Sequence, residues 1–214
     1  FILTIFYLFI FFKIPIKNIL LMVLITLITI SPYLTRNILI FDKVILTKSL
    51  GYNLWKGNNE NAKVEGGVVI KKEIQNKIEN LPKNKFYGIN FDNIFLVEAK
   101  KNINDNPLRY ISLFFKKILS FIFIDINSTQ QNYYHPLNII PQIILGLTSI
   151  LGIILSNKKS HKMNYLILYF FLNVFIFSCF FILPRYKLII LSLQIIFTNI
   201  LIDYVKKKYF SKAK

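Results

Sequence analysis

Apolar residues occur along this chain in long uninterrupted runs instead of recurring at the period of an amphipathic helix or a strand. Several runs with at most one charged residue have the length that crosses the hydrocarbon core of a bilayer as a helix. They lie at residues 18–34, 136–155, 165–183 and 188–205. A shorter run, residues 1–12, is predicted to be the end of a helix that begins upstream. The pattern predicts an all-α integral membrane protein with about five transmembrane helices, the first of them truncated.

A polar segment, residues 35–135, separates the first two predicted spans from the last three. The span before it is expected to end at Pro32 and the polar residues that follow. We expect irregular or short extended structure up to about Ile70. A short helix at residues 71–80 and a longer helix starting near Asp92 should follow, so the segment is predicted to be a large, mostly helical loop.

Residues 107–124 are apolar enough to suggest another span, but their pattern favours an amphipathic helix lying in the membrane interface. Their apolar residues share one helix face: Ile111, Phe114, Phe115, Ile118, Leu119 and Ile122. Lys116 and Lys117 lie off that face, and two lysines near the centre of a transmembrane helix would cost about 2.5–3.5 kcal/mol each. An interfacial helix avoids this cost, and Asp105 or Asn106 can cap its start.

The chain is strongly basic, with 27 Lys and Arg against 10 Asp and Glu and a net charge of +17. The basic residues flank the apolar runs, which is the usual membrane pattern. The sequence contains no RNA-binding signature, so membrane lipids and not nucleic acid are the expected partners of these charges.

Basic residues in the short connections also predict the orientation of the chain. If residues 107–124 do not cross, then segments 13–17, 156–164 and 206–214 share one side and carry ten lysines. The opposite side has only Arg185 and Lys187 in its short connection. The positive-inside rule then makes the lysine-rich side, including the basic tail 206–214, cytoplasmic. The prediction is a multi-pass plasma (inner) membrane protein whose loop 35–135 is periplasmic or extracellular.

Familiar catalytic motifs are absent from the sequence: it has no phosphate-binding glycine loop, no serine-hydrolase elbow and no HExxH. The single cysteine, Cys179, cannot form an internal disulfide. His135 and His161 are predicted on opposite sides of the membrane and cannot share a metal ion. We therefore identify no catalytic residue and no metal ligand in these 214 residues.

Two stretches on the predicted outer side combine side chains that suit a sugar phosphate. Aromatic rings cover apolar sugar faces and amides bond hydroxyl groups, and residues of this kind lie at Tyr52, Asn53, Trp55, Asn58 and Asn59. Arg185, Tyr186 and Lys187 place cations at headgroup depth, where they can hold a phosphate. Simpler interpretations stay open, namely an aromatic belt with turn-forming residues and lysines that reach lipid phosphates.

Four ordered stretches resemble the C-terminal half of GT-C-class glycosyltransferases, over most of residues 30–190. They are SPYLTRN (31–37), LGYNLWKGNN (50–59), NPLRYISLFFKKILSF (106–121) and LPRYKL (183–188). The resemblance is to bacterial proteins similar to dolichyl-phosphate-mannose–protein mannosyltransferases and lipid A aminoarabinose transferases. Arg36 and Asn37 match the family's first motif. Arg185 and Tyr186 match its Arg-Tyr-Arg-Leu-Pro motif, in which Lys187 replaces the second arginine.

The resemblance implies that a sugar moves from a polyprenyl-phosphate carrier to a glycan, lipid or protein acceptor on the outer face. It implies a general-base carboxylate upstream of Phe1, so the chain alone is expected to be inactive, and it leaves a divalent metal open. The alternative is a polytopic transporter or flippase component with a structured outer loop. An envelope polymer ligase fits less well, because the loop has few Arg and His residues.

Overall fold

The computed structural model describes residues 2–156 and 160–210, and every regular element within them is helical. The helices are α1 (Ile2–Phe12), α2 (Ile16–Phe41), α3 (Leu50–Asn58), α4 (Lys72–Glu79), α5 (Tyr87–Asp105), α6 (Pro107–Ile122), α7 (Pro136–Leu155), α8 (His161–Ser178) and α9 (Leu188–Val205). A 3₁₀ turn, Pro184–Lys187, leads into α9, and a π-helical turn, Lys206–Phe210, follows it. The all-helical prediction is confirmed for these residues. Parts of the predicted lysine-rich link and tail, residues 157–159 and 211–214, lie outside them.

Among the described residues, three helices are long and apolar enough to cross a membrane: Ile16–Phe41, Pro136–Leu155 and Pro184–Tyr209. The predicted limits of α7 and α9 are confirmed at both ends. Helix α8 covers much of the predicted span 165–183 but begins at His161, and the polar residues of its first turn lower its hydropathy. The described residues thus contain three helices suited to spanning.

Helix α2 continues to Phe41, so the prediction that Pro32 and the polar residues 35–37 end it near Leu34 is wrong. A proline inside a helix removes the N–H that would bond the carbonyl four residues earlier. Here the Ser31 hydroxyl donates to that carbonyl, of Ile28, at 2.9 Å. The helix therefore passes Pro32 and stops only where Asp42 adopts a left-handed conformation, with φ 53°.

Helix α3 contradicts the expectation of irregular structure before Ile70. Its first turn is stabilised by the carboxylate of Asp92, which accepts hydrogen bonds from the N–H groups of Gly51 (3.0 Å) and Tyr52 (2.8 Å). An acidic side chain at a helix N-terminus satisfies free N–H groups and complements the helix dipole. This cap comes from α5, 40 positions away, so the local sequence does not reveal it.

Helices α4 and α5 confirm the two predicted helices of the polar segment, although α5 begins at Tyr87 and not near Asp92. Together with α3 they bury a small apolar cluster around Trp55, Ile74 and Phe95. This cluster is a small core of its own, and Ala62 and Val64, which lie between α3 and α4, pack into the larger core instead.

Helix α6 confirms the amphipathic helix predicted at residues 107–124, and the Asn106 side chain caps it by accepting from the N–H of Arg109 at 3.3 Å. One row of apolar side chains is exposed: Leu108, Ile111, Phe115 and Leu119. The opposite side packs into the larger core with α8 and α9, around Phe121, Phe170 and Phe197. One prediction here is wrong: Lys117 is not on a solvated face but is 0% exposed.

Candidate functional site

The residues 50–59 and the stretch around the 3₁₀ turn, far apart in sequence, are bound tightly to each other. The Asn58 amide donates to the carbonyl oxygens of Leu54 and Cys179, each at 2.8 Å. A Cβ atom on Gly57 would lie 2.0 Å from the carbonyl oxygen of Phe180, so only glycine permits this approach. The two outer-side stretches predicted to share a site are therefore neighbours in the structure.

A groove of about 260 Å³ lies where these stretches meet. The aromatic part of its lining comes from Phe177, Phe180 and Tyr186. Hydroxyl and amide groups come from Thr47, Ser49 and Asn53. Aromatic faces beside paired hydroxyl and amide groups are suited to binding a sugar ring or a small polar headgroup. We call this cavity the α3 groove.

Arg185 lies next to the α3 groove and is exposed. Its guanidinium carbon stands 5.4 Å from the centre of the Tyr186 ring, which itself packs near Phe177 and Phe181. The described residues provide Arg185 with no hydrogen bond and no carboxylate partner. A cation in this position can bind a phosphate in a bidentate manner.

Trp55, predicted to contact a sugar, has a packing role instead. It is 2% exposed, and its ring centre lies 4.7 Å from that of Phe95. Tyr52 is half-buried against the same cluster, with its ring centre 5.1 Å from Phe95. The aromatic residues of this stretch thus build the core under α3, and Asn53 is the member that lines the groove.

Asn58 and Asn59, predicted to bind sugar hydroxyl groups, are buried and bonded within the protein. The Asn59 amide donates to the carbonyl of Gly67 at 2.8 Å, and its side-chain oxygen accepts from the N–H of Asn61 at 2.9 Å. The partners of these groups are main-chain atoms, except that the Asn58 side-chain oxygen accepts from the Lys117 ammonium group. The two asparagines therefore hold the fold of residues 54–67 and do not face the groove.

Lys187, predicted to hold a phosphate, is bonded to other helices. Its ammonium group donates to the carbonyl of Phe123 at 2.5 Å and to the side-chain oxygen of Gln142 at 2.8 Å. These bonds connect the start of α9 to the end of α6 and to α7. Of the three predicted residues in the turn, Tyr186 lines the groove and Arg185 stands beside it, while Lys187 has a structural role.

Arg36 and Asn37 lie on α2 and neither lines the groove. Asn37 is buried and its amide donates to the carbonyl of Ile45 at 2.7 Å, which holds the chain that leaves α2. Arg36 is exposed and donates to the Asn37 side-chain oxygen at 3.4 Å. This motif therefore fixes the position of Ile45, just before Thr47 and Ser49, which line the α3 groove.

Sequence reasoning missed the role of Lys117. Its ammonium group donates to the carbonyl of Gly57 at 2.8 Å and to the side-chain oxygen of Asn58 at 3.3 Å. Burial lowers the pKa of Lys117 to about 7, because an ammonium ion loses hydration in this position. The sequence places it one residue from Lys116, and nothing local distinguishes the buried lysine from the exposed one.

The histidines have local structural contacts. The His135 ring accepts from the N–H of Leu137 at 3.4 Å and so caps α7. The His161 carbonyl accepts from the Tyr7 hydroxyl at 2.9 Å, which joins α8 to α1. Within residues 2–156 and 160–210, no three His, Cys, Asp or Glu side chains are grouped as metal ligands.

Taken together, the described residues form an all-helical fold in which three helices have the length and apolarity to span a membrane, and a groove forms between α3 and the turn before α9. Comparison with protein-family models, curated proteins and solved structures finds nothing that matches this chain.

Proposed function

We propose that the chain is a membrane-embedded part of a glycosyltransferase that moves a sugar from a polyprenyl-phosphate carrier to an acceptor on the outer face of the plasma membrane. In this proposal α1 and α8 join the three long apolar helices as spans, and residues 42–135 lie outside the cell. The proposal draws on the four sequence stretches and on one observation. That observation is the α3 groove with Arg185 beside it.

The groove and Arg185 provide complementary parts of a sugar-phosphate site. The Tyr186 ring and the Asn53 amide face the volume that a sugar would fill. Arg185 is exposed within reach of the same ring, and its guanidinium can hold the carrier phosphate in a bidentate manner. The lipid chain of the carrier would leave the groove toward the bilayer, next to Leu188, which is exposed on α9.

In the proposed reaction, the bond between the anomeric carbon and the phosphate oxygen breaks, and an acceptor oxygen bonds to that carbon. The electron pair leaves with the carrier phosphate, whose growing negative charge Arg185 would stabilise. The acceptor proton passes to a general base. Among the described residues no carboxylate lines the α3 groove, so we propose that another part of the complete protein supplies the base, as in the family that the sequence resembles.

The test uses the complete protein, purified and supplied with polyprenyl-phosphate-linked sugars. Arg185→Ala should reduce release of free polyprenyl phosphate at least 10-fold, since a charge-assisted contact to the leaving group is lost. Lys83→Ala removes an exposed cation outside the groove and should leave the rate unchanged. Equal activity of Arg185→Ala and the parent would exclude Arg185 from the reaction.

A transporter or flippase component is the second candidate, because the described residues lining the groove can bond polar groups but include no carboxylate base. Such a protein would move a lipid-linked sugar between leaflets without breaking its glycosyl bond. In sealed vesicles, transfer of a labelled lipid-linked sugar across the bilayer with no release of polyprenyl phosphate would favour this function over glycosyl transfer.

A further inference from the structure

A second cavity, of about 330 Å³, lies beside α6, and its lining is basic. It contains three cationic side chains, Lys63, Arg109 and Lys116, together with the polar residues Ser112 and Asn127. None of these residues lines the α3 groove. A cavity of this volume is large enough for a small ligand or a headgroup. We call it the α6 cavity.

One cation of the α6 cavity is fixed in place by the main chain. The guanidinium of Arg109 donates to the carbonyl of Glu60 at 2.5 Å and, at 3.4 Å each, to the carbonyls of Asn59 and Ala62. It also donates to the Tyr110 hydroxyl at 3.1 Å. Arg109 therefore presents a rigid positive charge that needs no ordering when an anion binds.

The two lysines remain available for a ligand. Both are exposed, and the described structure gives their ammonium groups no ion pair. The carboxyl group of Asp125 interacts electrostatically with Lys63. Burial raises the pKa of Asp125, and this residue does not line the cavity. The lining has three cations and, among the described residues, no acidic side chain, so positive charge dominates this cavity.

The position of the cations along α6 connects the cavity to the membrane surface. Arg109, Ser112 and Lys116 follow one another at i, i+3 and i+7, so they form a row on one side of the helix. Each residue of this row is preceded in the sequence by an exposed apolar residue. The apolar side chains therefore form a second row, about 100° around the helix from the first. It contains Leu108, Ile111 and Phe115, with Leu119 one turn further on. An amphipathic helix with this arrangement rests with its apolar row in the acyl region and its cations at the headgroups.

We propose that the α6 cavity binds the phosphate of an anionic phospholipid headgroup, whose acyl chains lie along the exposed apolar row of α6. Lys63 and Lys116 supply the mobile cations, Arg109 the fixed one, and the Ser112 hydroxyl can donate to a phosphate oxygen. This site is separate from the α3 groove and applies equally to a transferase or a transporter. Anionic lipid bound here would hold α6 at the membrane surface.

The experiment measures lipid binding to the complete protein in detergent by native mass spectrometry. Phosphatidylglycerol and phosphatidylcholine of the same acyl chains are titrated separately. The double variant Lys63→Gln/Lys116→Gln should bind phosphatidylglycerol about 10-fold or more weakly, since each lysine near an anionic surface contributes appreciably. The matched control, Lys100→Gln/Lys101→Gln, removes the same charge from exposed positions on α5 that do not line the cavity.

The outcomes separate the possible ligands. Phosphatidylglycerol binding that is weakened only in the first double variant, with phosphatidylcholine unaffected, supports the proposal. Equal weakening in both double variants would overturn it, because binding would then follow net charge alone. Full displacement of phosphatidylglycerol by millimolar glycerol phosphate would also overturn it, since the cavity would then accept free phosphate esters independently of the acyl chains.

Discussion

The ammonium group of Lys117 lies 2.8 Å from the main-chain carbonyl oxygen of Gly57, and this bond joins α6 to the last turn of α3. The four C-terminal carbonyls of a helix have no partner within it. A buried lysine that donates to one of them satisfies the carbonyl and places positive charge at the negative end of the helix dipole. This hydrogen bond therefore connects the amphipathic helix α6 to α3, which contributes to the lining of the α3 groove.

This contact predicts a pH-dependent stability. The pKa of Lys117 is lowered from 10.5 to about 7 in the folded protein, so between these values the unfolded chain holds a proton that the folded chain has lost. The contribution of Lys117 to the free energy of unfolding therefore rises with pH across that window, by at most about 1.4 kcal/mol per pH unit. Thermal unfolding midpoints in detergent at pH 6.5 to 9.5 measure it.

Lys117→Met fits the same volume without a charge and should flatten that pH dependence. Lys101→Met, on an exposed position of α5, is the matched control and should retain it. If the unfolding midpoints of the parent and Lys117→Met change with pH in the same way, burial of this ammonium group does not cause the pH dependence of stability.

Asn58 should be as important to the groove as Lys117. Asn58→Ala removes the side-chain donor to the carbonyls of Leu54 and Cys179 and one of the two acceptors for Lys117. Unsatisfied buried groups cost about 1–3 kcal/mol, so amide hydrogen exchange in α3 should accelerate about 5-fold or more. The comparable change Asn93→Ala, at an exposed position of α5, should have no such effect. Unchanged protection of α3 in Asn58→Ala would contradict this structural role.

The long-range cap of α3 gives a separate prediction. Asp92→Ala removes the acceptor for the N–H groups of Gly51 and Tyr52, and loss of a helix cap costs about 1 kcal/mol. Exchange of the first-turn amides of α3 should accelerate while α9 stays protected. Asp105→Ala, at the exposed C-terminal end of α5, is the control. Equal exchange in the two variants would mean that the cap does not stabilise α3.

Much of the fold follows from patterns that are local in the sequence. Uniformly apolar runs predicted α7 and α9 to the residue, because a helix in lipid needs only length and apolarity. Helix α6 was found from its period and its Asn106 cap. These signals lie within one element, so a single sequence contains them.

The remaining features depend on contacts between distant residues. The cap of α3 comes from Asp92, 40 positions further along the chain. For the same reason, only some of the residues predicted to contact a sugar line the groove. Asn53 and Tyr186 line a groove, whereas Trp55, Asn58 and Asn59 were placed in the interior by partners that the local motif does not show. Residue type suggested a site, and tertiary packing decided which members reach it.

The close approach of Gly57 to Phe180 allows the groove to be tested with the natural thiol. A Cβ at position 57 would lie 2.0 Å from the Phe180 carbonyl oxygen, so Gly57→Ala must push α3 away from residues 178–181. Cys179, the only cysteine in the chain, lies in this contact and is half-buried. Its alkylation by a maleimide should therefore accelerate several-fold in the variant. Gly88→Ala is the matched control, because a Cβ there meets only the flexible side chain of Lys48 at 3.3 Å. If both variants react at the parent rate, α3 does not pack on residues 178–181, and the α3 groove cannot have the lining on which the proposed sugar-phosphate site depends.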